Sequence, residues 1–123
     1  MTEIQLKEIL RRFHEIKLQN SLVQEYEDIC GDELVIHQNK IREVRIKIIE
    51  NAIDILGDME KFVLETHLVQ HHTWINTRRL FLEKYGICSE RSERTLKRMQ
   101  QRGLDKMLCF INASPFKDIF EGD

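Results

Sequence analysis

The sequence predicts an all-α fold, and composition and apolar periodicity are the two observations behind this prediction. The 123 residues include only five glycines and one proline, and 33% of them are charged while 7% are aromatic. Such a composition is typical of helical proteins. Apolar residues also recur at spacings of three and four along most of the chain, which is the period of one helix face. The length fits one small domain, or one domain with a helical extension.

The first predicted helix covers residues 3–30, and Gly31 is placed to end it. A break is expected over residues 32–38, where the segment ELVIH has the residue types of a strand but no second strand to pair with. The apolar positions of the first helix fall on one face and are Leu6, Ile9, Leu10, Phe13, Ile16, Val23, Tyr26 and Cys30.

The second predicted helix runs from Gln38 to Leu56 and ends before Gly57. Its apolar residues cover more than one side, which predicts a helix that is buried on several sides. Together the first two helices predict a helical hairpin over residues 1–56. The apolar residues of the second helix are Ile41, Val44, Ile46, Ile48, Ile49, Ala52, Ile53 and Ile55.

Three further helices are predicted in residues 57–112. The first covers residues 59–70, and the side chain of Asp58 is placed to accept hydrogen bonds from its free amides. The second begins after Thr73 and stops near Gly86.

The last helix follows a longer connection. Ser89 or Ser92 is expected to cap it, and it continues to about Asn112. Residues 113–123 are expected to form a tail with two aromatic residues that dock back onto the fold, Phe116 and Phe120.

Charge is distributed unevenly, although the whole chain carries a formal net charge of only -2. Residues 73–112 contain nine Lys or Arg and four Asp or Glu, so this segment is basic and the rest of the chain is acidic. A basic segment on an acidic body predicts that one face of the protein meets a polyanion. The other interpretation is a solvated helix face, which charge runs usually are.

Three segments in residues 56–107 resemble region 4 of bacterial sigma-70 factors. LGDMEKFVLETHL (56–68) resembles its opening helix, in which a Leu-Pro pair is followed by Glu-Arg-x-Val-Leu, and TWINT (73–77) resembles the start of its next helix. TLKRMQQRGLDKM (95–107) resembles its recognition helix and the turn beyond. The resemblance implies a helix-turn-helix unit that binds DNA.

Two features depart from the sigma-70 pattern. The stretch from Gly86 to Thr95 is longer than is usual in that family, so the turn before the recognition helix is enlarged over residues 87–92. Nothing before residue 56 resembles the part of a sigma factor that binds the polymerase core and melts promoters. The chain is therefore not expected to be a complete sigma factor.

A helical front end followed by a region-4-like unit also resembles the phage late-gene transcription activators of the ArpU and RinA type. This resemblance implies a sequence-specific DNA-binding regulator that activates packaging, structural or lysis genes in the cytoplasm of a bacterial host. RNA polymerase is then a further expected partner. The alternative is a mimic of sigma region 4 that binds RNA polymerase or a sigma factor without specific DNA binding.

The predicted recognition helix has one apolar and one polar face. Leu96, Met99, Gly103 and Met107 have the helical spacing of a buried face, which directs the cations between them towards solvent. Arg can pair with guanine and Gln with adenine in the major groove, while Lys and Arg at the helix ends neutralise phosphates. The residues predicted to contact double-stranded DNA are Arg78, Arg79, Arg91, Ser92, Arg94, Thr95, Lys97, Arg98, Gln101 and Arg102.

These residues have different expected roles. Ser92 and Thr95, near the start of the recognition helix, can bind phosphate beside the free amides. Arg78 and Arg79, on the preceding helix, suit backbone contacts at the edge of the groove. Glu93 is expected to support the helix dipole, or alternatively to accept from cytosine N4.

No catalytic, metal or cofactor site is predicted. His67 and His71 are four residues apart, a spacing that can hold zinc on a helix, but Leu68 stands where the zincin pattern requires Glu. The sequence has no Gly-rich phosphate loop, nucleophile elbow or paired-carboxylate motif. Three widely spaced cysteines without a CxxC pair predict reduced thiols.

Self-association is expected through residues 1–56, because the long first helix carries more apolar surface than one partner helix covers. Phe13, Ile16 and Val23 are the candidate interface residues of a homodimer. The other interpretation is that this helix packs only on the second helix and the C-terminal unit. No membrane contact is predicted, because no run of about 18 apolar residues occurs, and the charged N-terminus is unlike a signal peptide.

Overall fold

The computed structural model describes residues 1–86, 91–115 and 117–120, apart from the side chains of Cys30 and Lys117. All regular elements of these residues are helices and none is a strand, which confirms the all-α prediction. The elements are α1 (Glu3–Arg11), α2 (Phe13–Cys30), α3 (Glu33–Asp54), α4 (Asp58–Leu64), a π turn (Glu65–Val69), α5 (Trp74–Tyr85), α6 (Glu93–Ala113) and a 3₁₀ turn (Lys117–Phe120).

The helix predicted over residues 3–30 is two helices, separated at Arg12. The backbone of Arg12 has φ -103° and ψ 5°, and its N–H donates to the carbonyls of Glu8 and Ile9, each at 3.2 Å. The break lets α1 pack against α6 and the π turn while α2 packs against α3. The prediction of one continuous helix is wrong because the apolar period continues across a break of a single residue.

The break predicted over residues 32–38 is also wrong, since α3 begins at Glu33 and includes the strand-like segment ELVIH. The side chain of Asp32 accepts a hydrogen bond from the N–H of Val35 at 2.9 Å and so caps α3 five residues earlier than expected. Gly31 follows α2 as predicted. A Cβ on Gly31 would lie 2.8 Å from the carbonyl oxygen of Glu27, a close approach that only glycine avoids.

The helix predicted over residues 59–70 is present as α4 and the π turn. Its N-cap position is held by Gly57, whose N–H donates to the Glu60 carboxylate at 3.3 Å, so the prediction that Asp58 is the cap is wrong. Asp58 is instead the first helical residue, where its negative charge still favours the helix N-terminus. The N–H of Gln70 bonds to the carbonyl of Glu65 at 2.9 Å, which gives this helix end its π geometry.

The last two helices have the predicted bounds. Thr73 caps α5 by accepting from the N–H of Asn76 at 3.2 Å, and Ser92 caps α6 by accepting from the N–H of Thr95 at 3.2 Å. Phe120 packs, partly buried, against the main core, as predicted. The other features predicted beyond these helices lie outside the described residues, namely Ser89 as a cap, most of the enlarged turn, and Phe116.

Two groups of buried residues hold the helices together, and α6 contributes to both. A smaller cluster, formed by α4, α5 and the first half of α6, contains Val63, Phe81, Leu96 and Met99. The main core joins α1, α2, α3, α4 and the second half of α6, and its members are Leu6, Leu10, Phe13, Ile46, Ile48, Ile49, Ala52, Ile53, Leu56, Leu64, Leu68, Leu104, Met107 and Ile111.

The main core has two consequences for the sequence predictions. It draws residues from both 1–56 and 57–112, so the predicted boundary at residue 56 runs through one continuous core. Val44 on α3 and Ile55 directly after it are exposed although the apolar pattern predicted them inside, because the helix buries the side that carries Ile46, Ile49 and Ile53.

Candidate nucleic-acid interface

Helix α6 separates a buried apolar face from an exposed basic one. Leu96, Met99, Gly103 and Met107 are buried, which confirms the predicted inner face. The side chains predicted to point outward are exposed on the opposite face, and they are Arg94, Lys97, Arg98 and Gln101. Arg102 is exposed as well. Because this helix is packed on both clusters of the fold, its exposed face is held on a rigid support.

The start of α6 is fixed by its own hydroxyl groups. The Ser92 hydroxyl accepts from the N–H of Thr95, and the two side-chain oxygens lie 3.0 Å apart. Glu93, in the first turn, forms an ion pair with Lys97 at 3.0 Å. Ser92 and Thr95 are therefore engaged in capping, and Glu93 lies where its charge complements both the helix dipole and Lys97.

Three cations occupy the exposed side of the first two turns of α6. Arg94 and Arg98 are exposed and form no hydrogen bond or ion pair with any residue that the structure describes. The ammonium of Lys97, besides its ion pair with Glu93, lies 5.9 Å from the ring centre of Trp74. An exposed ion pair is worth about 0–1 kcal/mol, so a phosphate or a base can compete for Lys97 at little cost.

The second half of the basic face is flanked by carboxylates. The side-chain amide of Gln101 donates to Glu3 of α1 and to Asp105, the latter at 3.1 Å. Lys106 forms an ion pair with Glu60 at 2.6 Å. The amide protons of Gln101 and the ammonium of Lys106 are therefore engaged, whereas the exposed side chain of Arg102 forms no hydrogen bond or ion pair with a described residue.

Glu60 adds to this neutralisation from α4. Burial raises the pKa of its carboxyl, but the hydrogen bonds from Lys106 and from the Gly57 N–H, together with the charges of Lys106 and Arg102, hold that pKa below its ordinary value. Glu60 is thus kept as an anion within the electrostatic influence of Arg102.

The predicted contact residues outside α6 lie on or next to α5. Arg78 and Arg79 are exposed on this helix, and Arg79 forms an ion pair with Glu83 at 2.9 Å. Arg91 is half-buried directly before α6. Trp74, in the first turn of α5, lies beneath Lys97 and so joins the start of α5 to the basic face of α6.

The segment between α4 and α5 contains a contact that the sequence pattern does not reveal. The imidazole of His67 stacks on Trp74, and its Nδ1 lies 2.9 Å from the carbonyl oxygen of His72. His71, between them, has φ +61°, an uncommon value for a residue with a side chain. A π turn changes which side chains meet across a helix end, so helical spacing alone could not find this stack.

No group of three His, Cys, Asp or Glu side chains that could hold a metal ion occurs among the described residues. None of the helices in the described ranges is both long and apolar enough to cross a membrane. Comparison of the chain with protein-family models, curated proteins and solved structures finds no significant match.

Proposed function

We propose that the protein is a sequence-specific regulator that binds double-stranded DNA through α6. The observation that carries this proposal is the exposed side of the first two turns, where Arg94, Lys97 and Arg98 stand together and the two arginines have no described partner. A polyanion is the ligand class that best fits three such cations on a chain with a net charge of -2.

The dimensions and chemistry of α6 suit the major groove. An α-helix with its side chains is about 10–12 Å across, and the groove of B-DNA is about 12 Å wide. Arg94 and Arg98 are one helical turn apart, so both can reach base edges from one side of the helix. Their guanidinium groups can each pair with O6 and N7 of guanine, which makes them the proposed base-reading residues.

Phosphate contacts are assigned to the cations at the edges of this face. Lys97 can exchange its weak pair with Glu93 for a phosphate, and Arg78 and Arg79 of α5 suit the adjacent backbone. Ser92 and Thr95 lie at the start of α6. There, their hydroxyls and the free amides of the first turn can bind a phosphate of the same DNA strand. Gln101 and Arg102 are also proposed to contact DNA. Gln101 would first have to give up its hydrogen bond to Glu3, and Arg102 would have to move away from the carboxylate of Glu60.

The regulatory part of the proposal comes from the resemblances in the sequence. A unit like sigma-70 region 4 suggests action at promoters beside RNA polymerase, and the overall layout suggests a phage or prophage activator of late genes. A homodimer through residues 1–56 belongs to the same proposal, since two copies of α6 would raise affinity for a two-part site.

The test compares wild-type protein with the double variant Arg94→Ala/Lys97→Ala. A binding site is first selected from a random duplex library, and affinity is then measured by fluorescence anisotropy at fixed salt. An Arg that reads a guanine is worth about 1–3 kcal/mol, so the variant should bind the selected site at least roughly tenfold more weakly. Its affinity should also depend less on salt, because a phosphate contact is lost.

A control variant removes two exposed lysines from α3, Lys40→Ala/Lys47→Ala, and should keep wild-type affinity. Equal affinity of the Arg94/Lys97 variant and wild type would refute the assignment of α6. If wild-type protein selects no duplex but binds RNA polymerase or a sigma factor, the region-4 mimic replaces the DNA-binding regulator.

A further inference from the structure

Helix α2 carries a stripe of large apolar side chains that its own chain leaves uncovered. Leu18, Leu22, Tyr26 and Ile29 have 55%, 65%, 59% and 83% of their surface exposed. Their spacings of four, four and three residues put them on one face of the helix. A continuous apolar patch of this kind is uncommon on a monomer and marks an interaction surface.

A groove adjoins this stripe on the side towards α3. It encloses about 640 Å³ and has an apolar floor that includes Ile16, Val23, Ile46 and Ile49. Leu22 belongs both to the stripe and to the groove wall, so the two features form one continuous surface.

The groove is positively charged at its rim. Arg12, Arg42 and Arg45 line it, and no Asp or Glu does. Arg45 donates to the carbonyl of Ile119 at 2.7 Å. The side chains of Arg12 and Arg42 are exposed and form no hydrogen bond or ion pair within the described part of the chain. The groove therefore favours an occupant that is both apolar and acidic.

The opposite end of the α2–α3 hairpin has that chemistry. Residues 24–34, around the turn between the helices, contain no Lys or Arg, and Ile29 lies among their acids. Of these, Glu27 accepts from the buried Asn39 at 2.7 Å inside the hairpin, and Asp32 caps α3. The acids of this segment are Glu25, Glu27, Asp28, Asp32 and Glu33. The hairpin thus has an acidic apolar tip and a basic apolar groove that runs from Arg12 at its base to Arg42, whose neighbour Glu43 accepts from Gln24.

We propose that the partner of this surface is a second copy of the chain, with the two α2 helices packed antiparallel about a two-fold axis at Leu22. With such an axis, each residue of one α2 helix lies opposite the partner residue whose number brings the sum of the two to 44. Leu18 then meets the partner's Tyr26, and Arg12 meets the acidic end of the partner's helix near Asp32. A parallel arrangement would instead bring the two acidic tips together, and like charges there repel.

In the two-fold arrangement, both copies bury the apolar stripe of α2 and both form the same contact between tip and groove. Each acidic tip enters the other copy's arginine-lined groove, as an isologous interface requires. Helix α2 has 18 residues, so the paired helices are about 27 Å long. Of the three candidate interface residues, Phe13 is buried in its own core, whereas Ile16 and Val23 remain half-exposed in the groove, and their contact with a partner stays a prediction.

Sedimentation equilibrium of the full chain tests the interface without reference to DNA. Wild type should have twice the 14.8 kDa mass of the chain, and Leu22→Glu should be a monomer because it puts a charge on the two-fold axis. Ile75→Glu is the matched control, since Ile75 is an equally exposed apolar residue on α5. It should stay dimeric, and all three proteins should have the same helical circular dichroism spectrum.

Charge reversal tests the antiparallel orientation. One variant reverses the tip, Glu25→Lys/Asp28→Lys/Glu33→Lys, which changes its formal charge from -5 to +1. Another reverses the groove, Arg12→Glu/Arg42→Glu, which changes the charge of its three arginines from +3 to -1. Each alone should dissociate, because both of its tip-to-groove contacts become repulsive. An equimolar mixture should form a heterodimer, in which both contacts are attractive again.

Three results would overturn the proposal. They are a wild-type monomer at micromolar concentration, a Leu22→Glu variant that remains dimeric, and a mixture of the two charge variants that stays monomeric. Since none of these measurements involves DNA, failure of the dimer leaves the DNA-binding proposal intact, and the reverse also holds.

Discussion

The imidazole of His67 stacks on the indole of Trp74, with ring centres 3.7 Å apart and planes inclined by 20°. A carbonyl oxygen can only accept, so the Nδ1 of His67 donates its proton to His72. This arrangement joins the end of the π turn to the first turn of α5. Because Trp74 lies under Lys97, the stack also supports one edge of the proposed DNA-binding face.

The stack should make stability depend on pH. Burial lowers the pKa of His67 below its ordinary value, and the nearby positive charges of Arg11, Lys7 and Lys97 lower it further, although the hydrogen bond to His72 opposes them. In the unfolded chain the imidazole takes up its proton near pH 6.5. Between this pH and the lower folded-state pKa the unfolded state holds more protons, so the free energy of unfolding falls as the pH falls from about 6.5 and levels off below the folded-state pKa.

Urea denaturation between about pH 7.5 and pH 5 measures this effect. His67→Phe keeps an aromatic ring on Trp74 but removes the titration, so its free energy of unfolding should decline less with acidification than that of wild type. The control His14→Phe changes an exposed histidine of α2 and should keep the wild-type slope. An unchanged slope in His67→Phe would show that another group is responsible.

Leu96 should be the residue on which the position of the basic face depends most. It is fully buried in the smaller cluster with Val63, Phe81 and Met99. Leu96→Ala should cost about 2–5 kcal/mol through lost burial and a cavity, and it should weaken DNA binding by loosening α6 without removing a DNA contact. Chemical denaturation measures the first effect and anisotropy the second. A variant as stable as wild type would mean that the two faces of α6 have been exchanged.

The two faces of α6 could be predicted because its apolar and charged residues alternate with the helical period. The N-caps of α5 and α6, Thr73 and Ser92, could also be predicted, because a cap depends on hydrogen bonds within a short segment of sequence. The break at Arg12 could not be predicted, because the apolar period passes through it unchanged. Helix α3 begins early because the Asp32 cap outweighs the strand-like composition of the residues after it.

The candidate site was predictable in its residue types but not in its charge balance. The carboxylate of Glu3 reaches Gln101 from 98 positions away, and that of Glu60 lies near Arg102 through the packing of α4 on α6. No local pattern contains such contacts. They place carboxylates near Gln101 and Arg102 in the middle of α6, which the sequence presents as one uniform basic helix.

Two glycines should respond in opposite ways to the same substitution. Gly103 is a helical residue of α6, and a Cβ there would lie 3.4 Å from the Cδ1 atoms of Leu56 and Leu64, an ordinary contact. Gly103→Ala should therefore gain up to about 1 kcal/mol from helix propensity. Gly86 has φ +87° and nothing within 4 Å of its Cβ position. Gly86→Ala should lose stability from backbone strain alone.

Urea midpoints of the two alanine variants should therefore move to opposite sides of the wild-type value. Gly103→Leu completes the series, because three further carbons must enter the contact between α4 and α6 and should cost about 1–3 kcal/mol. A Gly103→Ala variant less stable than wild type would mean that Leu56 and Leu64 cannot yield even slightly. In that case close approach of α4 and α6, and not helix propensity, would explain why glycine stands in the buried face of the proposed recognition helix.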